Sequence, residues 1–279
     1  TELLITEKCS TFKRAFVEGN ITVMRRTKDY KIDFDLKARW GTPHSIMRFT
    51  KSQVKLQEVC NLVSKDESVE WIKRDGLHFG ETTIPVYGMA ADHAEFLITY
   101  YTPEGGTILD CFQGRGTHGF ACLEHGRKFI GYDVFDRNIT RTKEVMDEYY
   151  PDSDYQLFHS DGTELAELKD KSEYLDGAVC DPPYFLKAEK YSKDERDLSS
   201  MSHEEYMNRM RNCFKQLYRL IKTSNFEEKK FYPVIFKVTH MRRGKKGIID
   251  MDMEFQKIAH EVGFVTYDLS LIHISEPTR

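Results

Sequence analysis

Between residues 81 and 268 the hydrophobic positions change period again and again. A short apolar run, Thr107-Ile108-Leu109, ends at Asp110, and a glycine-rich turn leads into a helical pattern that reaches about His125. Lys128 to Asp133 (KFIGYD) reads as the next strand and Asn138 to Tyr149 as a helix. Tyr155 to Ser160 is a weaker strand, and Leu175 to Cys180 (LDGAVC) is a strand that runs into Asp181. Ser202 to Ile221 is the clearest helix. Ser202 and Glu205 have capping-box spacing, and Tyr206, Met210, Cys213, Phe214, Leu217, Leu220 and Ile221 share one face. Tyr232 to Val238 is another strand, Met253 to Val262 another helix, and Phe264 to Asp268 begins a last strand. Strands alternating with helices in this way predict an α/β fold with a mostly parallel sheet.

The first 80 residues lack that rhythm. They are expected to be an appended segment of unknown fold, with the catalytic domain in 81–268. The tail from Leu269 to Arg279, LSLIHISEPTR, looks like the in-frame translation of a library-adapter sequence and is expected to lie outside the native fold.

Composition changes this picture in three ways. No run of eighteen apolar residues occurs, so no membrane-spanning helix is expected. Cys9, Cys60, Cys111, Cys122, Cys180 and Cys213 form no CxxC pair and no metal-ligand spacing. They predict core thiols in a cytoplasmic protein with no metal site. The net charge is −4, but residues 20–55 carry nine Lys and Arg against three Asp and Glu, so the basic charge is concentrated.

The first candidate site is the strand-to-helix turn Asp110-Cys111-Phe112-Gln113-Gly114-Arg115-Gly116-Thr117. Ligands of open α/β sheets bind at such strand ends. Gly114 and Gly116 allow a tight turn and a close backbone approach, and the helix that follows aims its N-terminus at the same place. Asp133 ends the next strand, 23 residues after Asp110, where this architecture holds a ribose hydroxyl. Gly114, Gly116 and Gly119 also satisfy the G-x-G-x-x-G spacing of a dinucleotide site. The carboxylate of Asp110 suits a cofactor with an ammonium group better than one with a pyrophosphate, which points to S-adenosylmethionine.

The second is Asp181-Pro182-Pro183-Tyr184. Two prolines fix two φ angles, and the first pushes Asp181 to an extended conformation. The result is a stiff platform with an acceptor-only carboxylate beside an aromatic ring. An exocyclic amine on a base needs two acceptors and a stacking surface. Asp181 and the Pro182 carbonyl supply the first, and Tyr184 the second.

With both motifs in place, the chain resembles the N4/N6 amino-methyltransferases of DNA over roughly residues 75–268. ILDCFQGRGTHGFACLEHGRKFIGYD is similar to the family's cofactor motif, with Asp110, Phe112, Gly114, Gly116, Thr117 and Asp133 matching. Cys111, Gln113, Arg115 and His118 depart from the common residues. The resemblance implies a Rossmann-like methyltransferase sheet of seven strands flanked by helices, its last hairpin incomplete, in a chain of environmental or phage type with a shortened C-terminus. It implies that Asp110 and Phe112 line the S-adenosylmethionine site, that Asp133 holds the ribose and that Asp161 lies near the adenine. Tyr87, in the Val86–Met89 stretch, is expected on the methionine side.

The implied activity is site-specific methylation of double-stranded DNA, as in restriction-modification. The D-P-P-Y form leans to adenine N6 over cytosine N4. RNA or a protein glutamine as substrate, and a non-catalytic binding relic, stay open. Residues 185–203 are a polar loop placed to close over an extruded base. Residues 237–246, KVTHMRRGKK, hold five basic groups and no acid, so Arg242, Arg243, Lys245 and Lys246 are the expected phosphate contacts.

Overall fold

A computed structural model describes residues 14–25, 46–47, 54–65, 91–185, 194–225, 227–238, 241–242 and 248–277. The strands are β1 (Arg14–Arg25), β2 (Ile46–Met47), β3 (Thr107–Asp110), β4 (Lys128–Asp133), β5 (Tyr155–His159), β6 (Gly177–Cys180), β7 (Pro233–Val238), β8 (Met241–Arg242), β9 (Ile248–Ile249) and β10 (Val265–Pro277). The helices are α1 (Val54–Lys65), α2 (Ala91–Tyr101), α3 (Thr117–Glu124), α4 (Asp136–Tyr149), α5 (His203–Leu220) and α6 (Met251–Val262).

Eight strands form one sheet in the order β2-β10-β1-β7-β6-β3-β4-β5. From β7 to β5 every pairing is parallel. After β3 the chain steps outward through β4 to β5, then returns to the other side of β3 for β6 and β7. The strand order therefore reverses between β3 and β6, and such a switch point opens a crevice at the carboxyl ends of the two strands. Asp110 ends β3, and Asp181 follows β6 directly.

Both faces of the sheet are covered. Ile108, Val179 and Ile235 enter one core with Leu56, Val59 and Val63 of α1, Leu97 and Ile98 of α2, Phe120 of α3 and Met146 of α4. Their strand neighbours Leu109, Ala178, Cys180, Val234 and Phe236 enter the other, with Tyr206, Met210, Phe214 and Leu217 of α5 and Phe255 of α6. Adjacent residues of a strand point to opposite faces, so burial on both sides explains why β6 and β7 read as apolar runs rather than as alternation.

The seven residues expected on one face of α5 are all buried. Its start is the predicted capping box: the Ser202 side chain accepts from the Glu205 N–H, and the Glu205 carboxylate accepts from the Ser202 N–H at 2.9 Å. Such a cap contributes about 1 kcal/mol.

The boundary at residue 80 is corrected by the structure. β1 lies inside the sheet, antiparallel to β7 on one side and to β10 on the other. Helix α1 buries Leu56, Val59 and Val63 in the core shared with α2, α3 and α4. Local periodicity cannot reveal a strand whose partners lie some 200 residues away. β10 is the last described strand, as an incomplete final hairpin would have it, and its antiparallel neighbour comes from the N-terminal segment. β10 runs on from Asp268 through the segment expected to lie outside the fold, pairing with β1 as far as Pro277.

Candidate active site

The turn after β3 is built by three glycines with separate duties. Gly116, the residue before α3, has φ +77°, a left-handed conformation that favours glycine. A Cβ there would collide with the Thr142 side chain on α4. Gly114 also has positive φ, at +51°, and open space on its Cβ side, which leaves its backbone approachable. A Cβ on Gly119 would run into Met146 and Phe129, so this third glycine lets α3 lie close against β4 and α4. That division of labour is the one a strand–turn–helix ligand site needs.

Asp133 sits at the end of β4, beside this turn. Its carboxylate accepts from the Gly114 N–H at 2.9 Å, the Phe135 N–H at 2.7 Å and the Asn138 side-chain amide at 3.1 Å. A carboxylate has about four acceptor positions, so roughly one is left for a ligand hydroxyl. Burial pushes its pKa up to about 7, against the pull of the three donors and with a smaller push from the nearby Asp110 charge. Asn138 was not foreseen, although its place in the first turn of α4, five residues after Asp133, was a usable signal.

Asp110 behaves differently from expectation. It is only 1% exposed. One oxygen accepts from the Phe112 N–H at 2.9 Å, and the other is 2.6 Å from His118 Nδ1, inside α3. The carboxylate therefore fixes the turn from within instead of presenting itself to an ammonium group. His118 had been noted only as sharing a helix face with His125. Its place one turn into the helix after Gly116 aims it back at the strand end.

Thr117 is likewise turned away from the turn's open side. Its side chain hydrogen-bonds the Cys60 thiol of α1, whose pKa is pushed up to about 12 chiefly by burial. Phe112 is half-buried and packs against the α5 side of the core. Tyr87 lies outside the described residues.

Asp161 follows β5 and is also held from within. One oxygen accepts from both the N–H and the hydroxyl of Thr163, and the other is 3.1 Å from Arg209 of α5. The next residue was missed. A Cβ on Gly162 would overlap the backbone carbonyl oxygen of Cys111. The exits of β3 and β5 thus touch backbone to backbone, and only glycine permits it.

Asp181-Pro182-Pro183-Tyr184 leaves β6 at the switch point, next to the β3 turn. Pro182 is buried, while Asp181, Pro183 and Tyr184 are half-buried. Tyr184 packs against the α5 core, and the following Phe185 is buried against His203 and Tyr206, with ring centroids 5.0 and 4.9 Å away. Phe185 therefore anchors the motif on its downstream side. Asp181 Oδ2 is 3.2 Å from Lys237 Nζ on β7. Lys237 had been counted with the basic run. The signal for its separate role was a single charge at the end of an otherwise apolar strand, PVIFKV.

The polar loop expected over the site is described only at its ends. Residues 194–202 are folded: Asp197 caps the short turn Leu198–Ser200, and Leu198 is buried. Arg242 lies in the β8–β9 hairpin. The side chain of Arg242, and all of Arg243, Lys245 and Lys246, lie outside the described residues. Among the described residues no three His, Cys, Asp or Glu side chains gather into a metal site, and no helix is long and apolar enough to cross a membrane.

Comparison with known proteins bears on the first half of this site. A type II methyltransferase of Bacillus subtilis, M.BglI, is 34% identical over 98 residues, which are 32% of this chain and 27% of that protein. The chain thus spans about a quarter of the curated relative it matches. Among solved structures, a TehB-like S-adenosylmethionine-dependent methyltransferase from Corynebacterium glutamicum aligns with 77% of this chain and 98% of its own, at 13% identity and a TM-score of 0.40. An S-adenosylmethionine-dependent O-methyltransferase from Thermotoga maritima aligns with 72% of this chain and 55% of its own, at 12% identity and a TM-score of 0.40. The family model of N6 and N4 type, described as DNA methylase, matches residues 89–144, which run from the start of α2 through the glycine turn and Asp133 into α4. Over that stretch, the half of the site that holds the turn and its acidic partner, this chain carries the sequence pattern of the N6/N4 DNA methylases.

Proposed function

We propose that the chain transfers a methyl group from S-adenosylmethionine to an exocyclic amino group of a base in double-stranded DNA, with adenine N6 favoured over cytosine N4. One observation carries this reading. The stiff Asp181–Tyr184 platform and the glycine turn of the DNA methylase-like segment leave adjacent strands, β6 and β3, at the point where the strand order reverses. A cofactor site and an amine-binding platform are thereby placed side by side.

The residues present fit the cofactor. Asp133 keeps roughly one acceptor position for a ribose hydroxyl, and Gly114 leaves its backbone open. Phe112 offers an apolar wall. Asp110 and Asp161 contribute by shaping the two loops, and Thr117 by tying α3 to α1. When bound, S-adenosylmethionine supplies an electrophilic methyl group.

The chain's own residues do the rest. The Asp181 carboxylate and the Pro182 carbonyl accept the two N–H groups of the amine, while Tyr184 stacks on the base. These bonds draw the nitrogen towards a pyramidal geometry and free its lone pair. The work is positioning and electrostatics, and no strong base is needed. A base paired inside a duplex cannot reach such a platform, so the target must be extruded, at a cost of a few kcal/mol. The lean to adenine rests on the Asp at the head of the motif.

The direct test incubates the protein with isotope-labelled S-adenosylmethionine and unmethylated duplex DNA, then digests the DNA and weighs the nucleosides. Labelled N6-methyldeoxyadenosine is expected. Labelled N4-methyldeoxycytidine would reverse the base assignment. Label that appears in RNA and not in DNA would replace the substrate.

Asp133 makes a second expectation. Its raised pKa means that the folded protein binds more protons than the unfolded chain between about pH 4 and 7. The ligand-free protein should therefore lose stability as the pH rises through that window. A ribose hydroxyl donates to the ionised form, so binding should release a proton near pH 7. Calorimetry in buffers of different ionisation enthalpy reads this directly. Asp133→Ala should remove the proton release and weaken cofactor binding by about 1–3 kcal/mol. Equal affinity and unchanged proton release would take Asp133 out of the site.

A further inference from the structure

We propose that Lys237 is a positioning residue that orients the Asp181 carboxylate for the amine, an inference that rests on the amino-methylation reading above. Lys237 is the fifth residue of β7, and β7 lies between β6 and β1 in the sheet. Cys180 of β6 is in register with Phe236 of β7, so Asp181 and Lys237 each stand one residue beyond a paired position on neighbouring parallel strands. This register carries Nζ to 3.2 Å from Asp181 Oδ2. The Lys237 side chain is 11% exposed and that of Asp181 25%. A lysine at a strand end ordinarily runs its ammonium out to water. This one is held inside, where an ion pair is screened less than at the surface.

Its surroundings are consistent with that role. His93 of α2 is 4% exposed and lies within the influence of the Lys237 charge. Desolvation first, and the Lys237 ammonium second, bring its pKa down to about 4, so His93 is neutral at physiological pH and adds no second positive charge there.

The consequence is chemical. A carboxylate with one oxygen fixed by an ammonium has its plane set and its other oxygen left to accept. The amine needs an acceptor in a defined direction, because its lone pair is freed only while both N–H bonds are engaged. A freely rotating Asp181 would accept from water as readily as from the base. The pairing also removes Lys237 from the basic run 237–246 that was expected to meet phosphates.

The test compares Lys237→Met and Lys237→Arg with the unaltered 279-residue chain, using labelled S-adenosylmethionine and unmethylated genomic DNA. Lys237→Met is expected to lower single-turnover transfer by about a hundredfold, the scale of a misplaced catalytic group, with cofactor and DNA affinities nearly unchanged. Lys237→Arg should recover most of the rate, because it keeps a donor and a charge at the same place. In an Asp181→Asn background the further change to Met should cost less than about twofold, since a residue acting through Asp181 has nothing left to orient.

Three results would overturn the inference. Unchanged turnover in Lys237→Met is one. A full loss repeated in the Asp181→Asn background is another, because Lys237 would then act independently. The third is weakened DNA binding with a salt dependence shallower by about one unit at unchanged turnover, which marks a phosphate contact. Should Lys237→Met fail to fold, Lys237→Gln replaces it: turnover equal to the unaltered chain would overturn the inference, and a loss rescued only by Arg would support it. An unaltered protein that methylates neither DNA nor RNA would remove the amino-methylation reading, and the inference would fall with it.

Discussion

Asp181→Ala is expected to lower methyl transfer by about a hundred- to a thousandfold or more, the loss seen when one preorganised partner of a transition state is removed. Cofactor affinity should stay within about tenfold, because Asp181 leaves β6 while the cofactor turn leaves β3; tenfold is 1.4 kcal/mol. The two readouts separate a catalytic role from a structural one. Truncation also strands the Lys237 ammonium, which has Asp181 Oδ2 as its ion-pair partner. Some loss of stability therefore accompanies the loss of rate, on the order of 1–3 kcal/mol. Asp181→Asn keeps one acceptor oxygen but can turn an amide NH2 towards Lys237, so it should be nearly as inactive and should melt closer to the unaltered protein. Stopped-quench transfer assays and a cofactor titration on the same samples decide the matter. Unchanged turnover in Asp181→Ala would end the catalytic assignment.

The largest stability effect is expected from Gly162→Ala. The added methyl would occupy the position of the Cys111 carbonyl oxygen, which is backbone and cannot swing aside as a flexible side chain would. The exits of β3 and β5 must separate, and the turn that Asp110, Gly114 and Asp133 build together moves with them. The cost should reach the upper end of the overpacking range, about 3 kcal/mol. Urea unfolding with an unchanged m-value measures it. Gly105→Ala is the comparison. Gly105 has φ +69° but nothing within 4 Å of its Cβ position, so only left-handed strain is added, about 1–2 kcal/mol. Equal midpoints for the two variants would mean that the close approach at Gly162 is not a constraint in solution. Cofactor affinity should fall in Gly162→Ala and hold in Gly105→Ala.

The Rossmann-like core was legible because its information is local. Each strand from β3 to β7 is a short apolar run that ends at a turn signal, and each helix shows one apolar face. The Ser202–Glu205 box marked the start of α5 to the residue. The glycine turn, Asp133 and the Asp181–Tyr184 motif were legible for the same reason, since each is a fixed spacing of residues with unusual backbone or side-chain chemistry.

What tertiary structure alone decided is which groups face each other across strands distant in sequence. Asp110 reads as a ligand residue, yet His118 and the Phe112 N–H take up its oxygens inside the protein. Thr117 reads as part of the pocket, but the packing of α1 turns it to Cys60. Lys237 reads as one more charge in a basic run, and the β6–β7 register makes it the partner of Asp181. Nothing local distinguishes Gly162 from a loop glycine until the Cys111 carbonyl arrives against it. The same holds for the N-terminal segment, whose β1 finds its place only when β7 and β10 are there to pair with it. Turn chemistry and hydrophobic period are written into neighbouring residues, so the sequence by itself determined the elements and the motifs. Strand order and register depend on contacts that close long loops, so only the assembled sheet decided which motif residues point outward to a ligand and which hold the site together from behind.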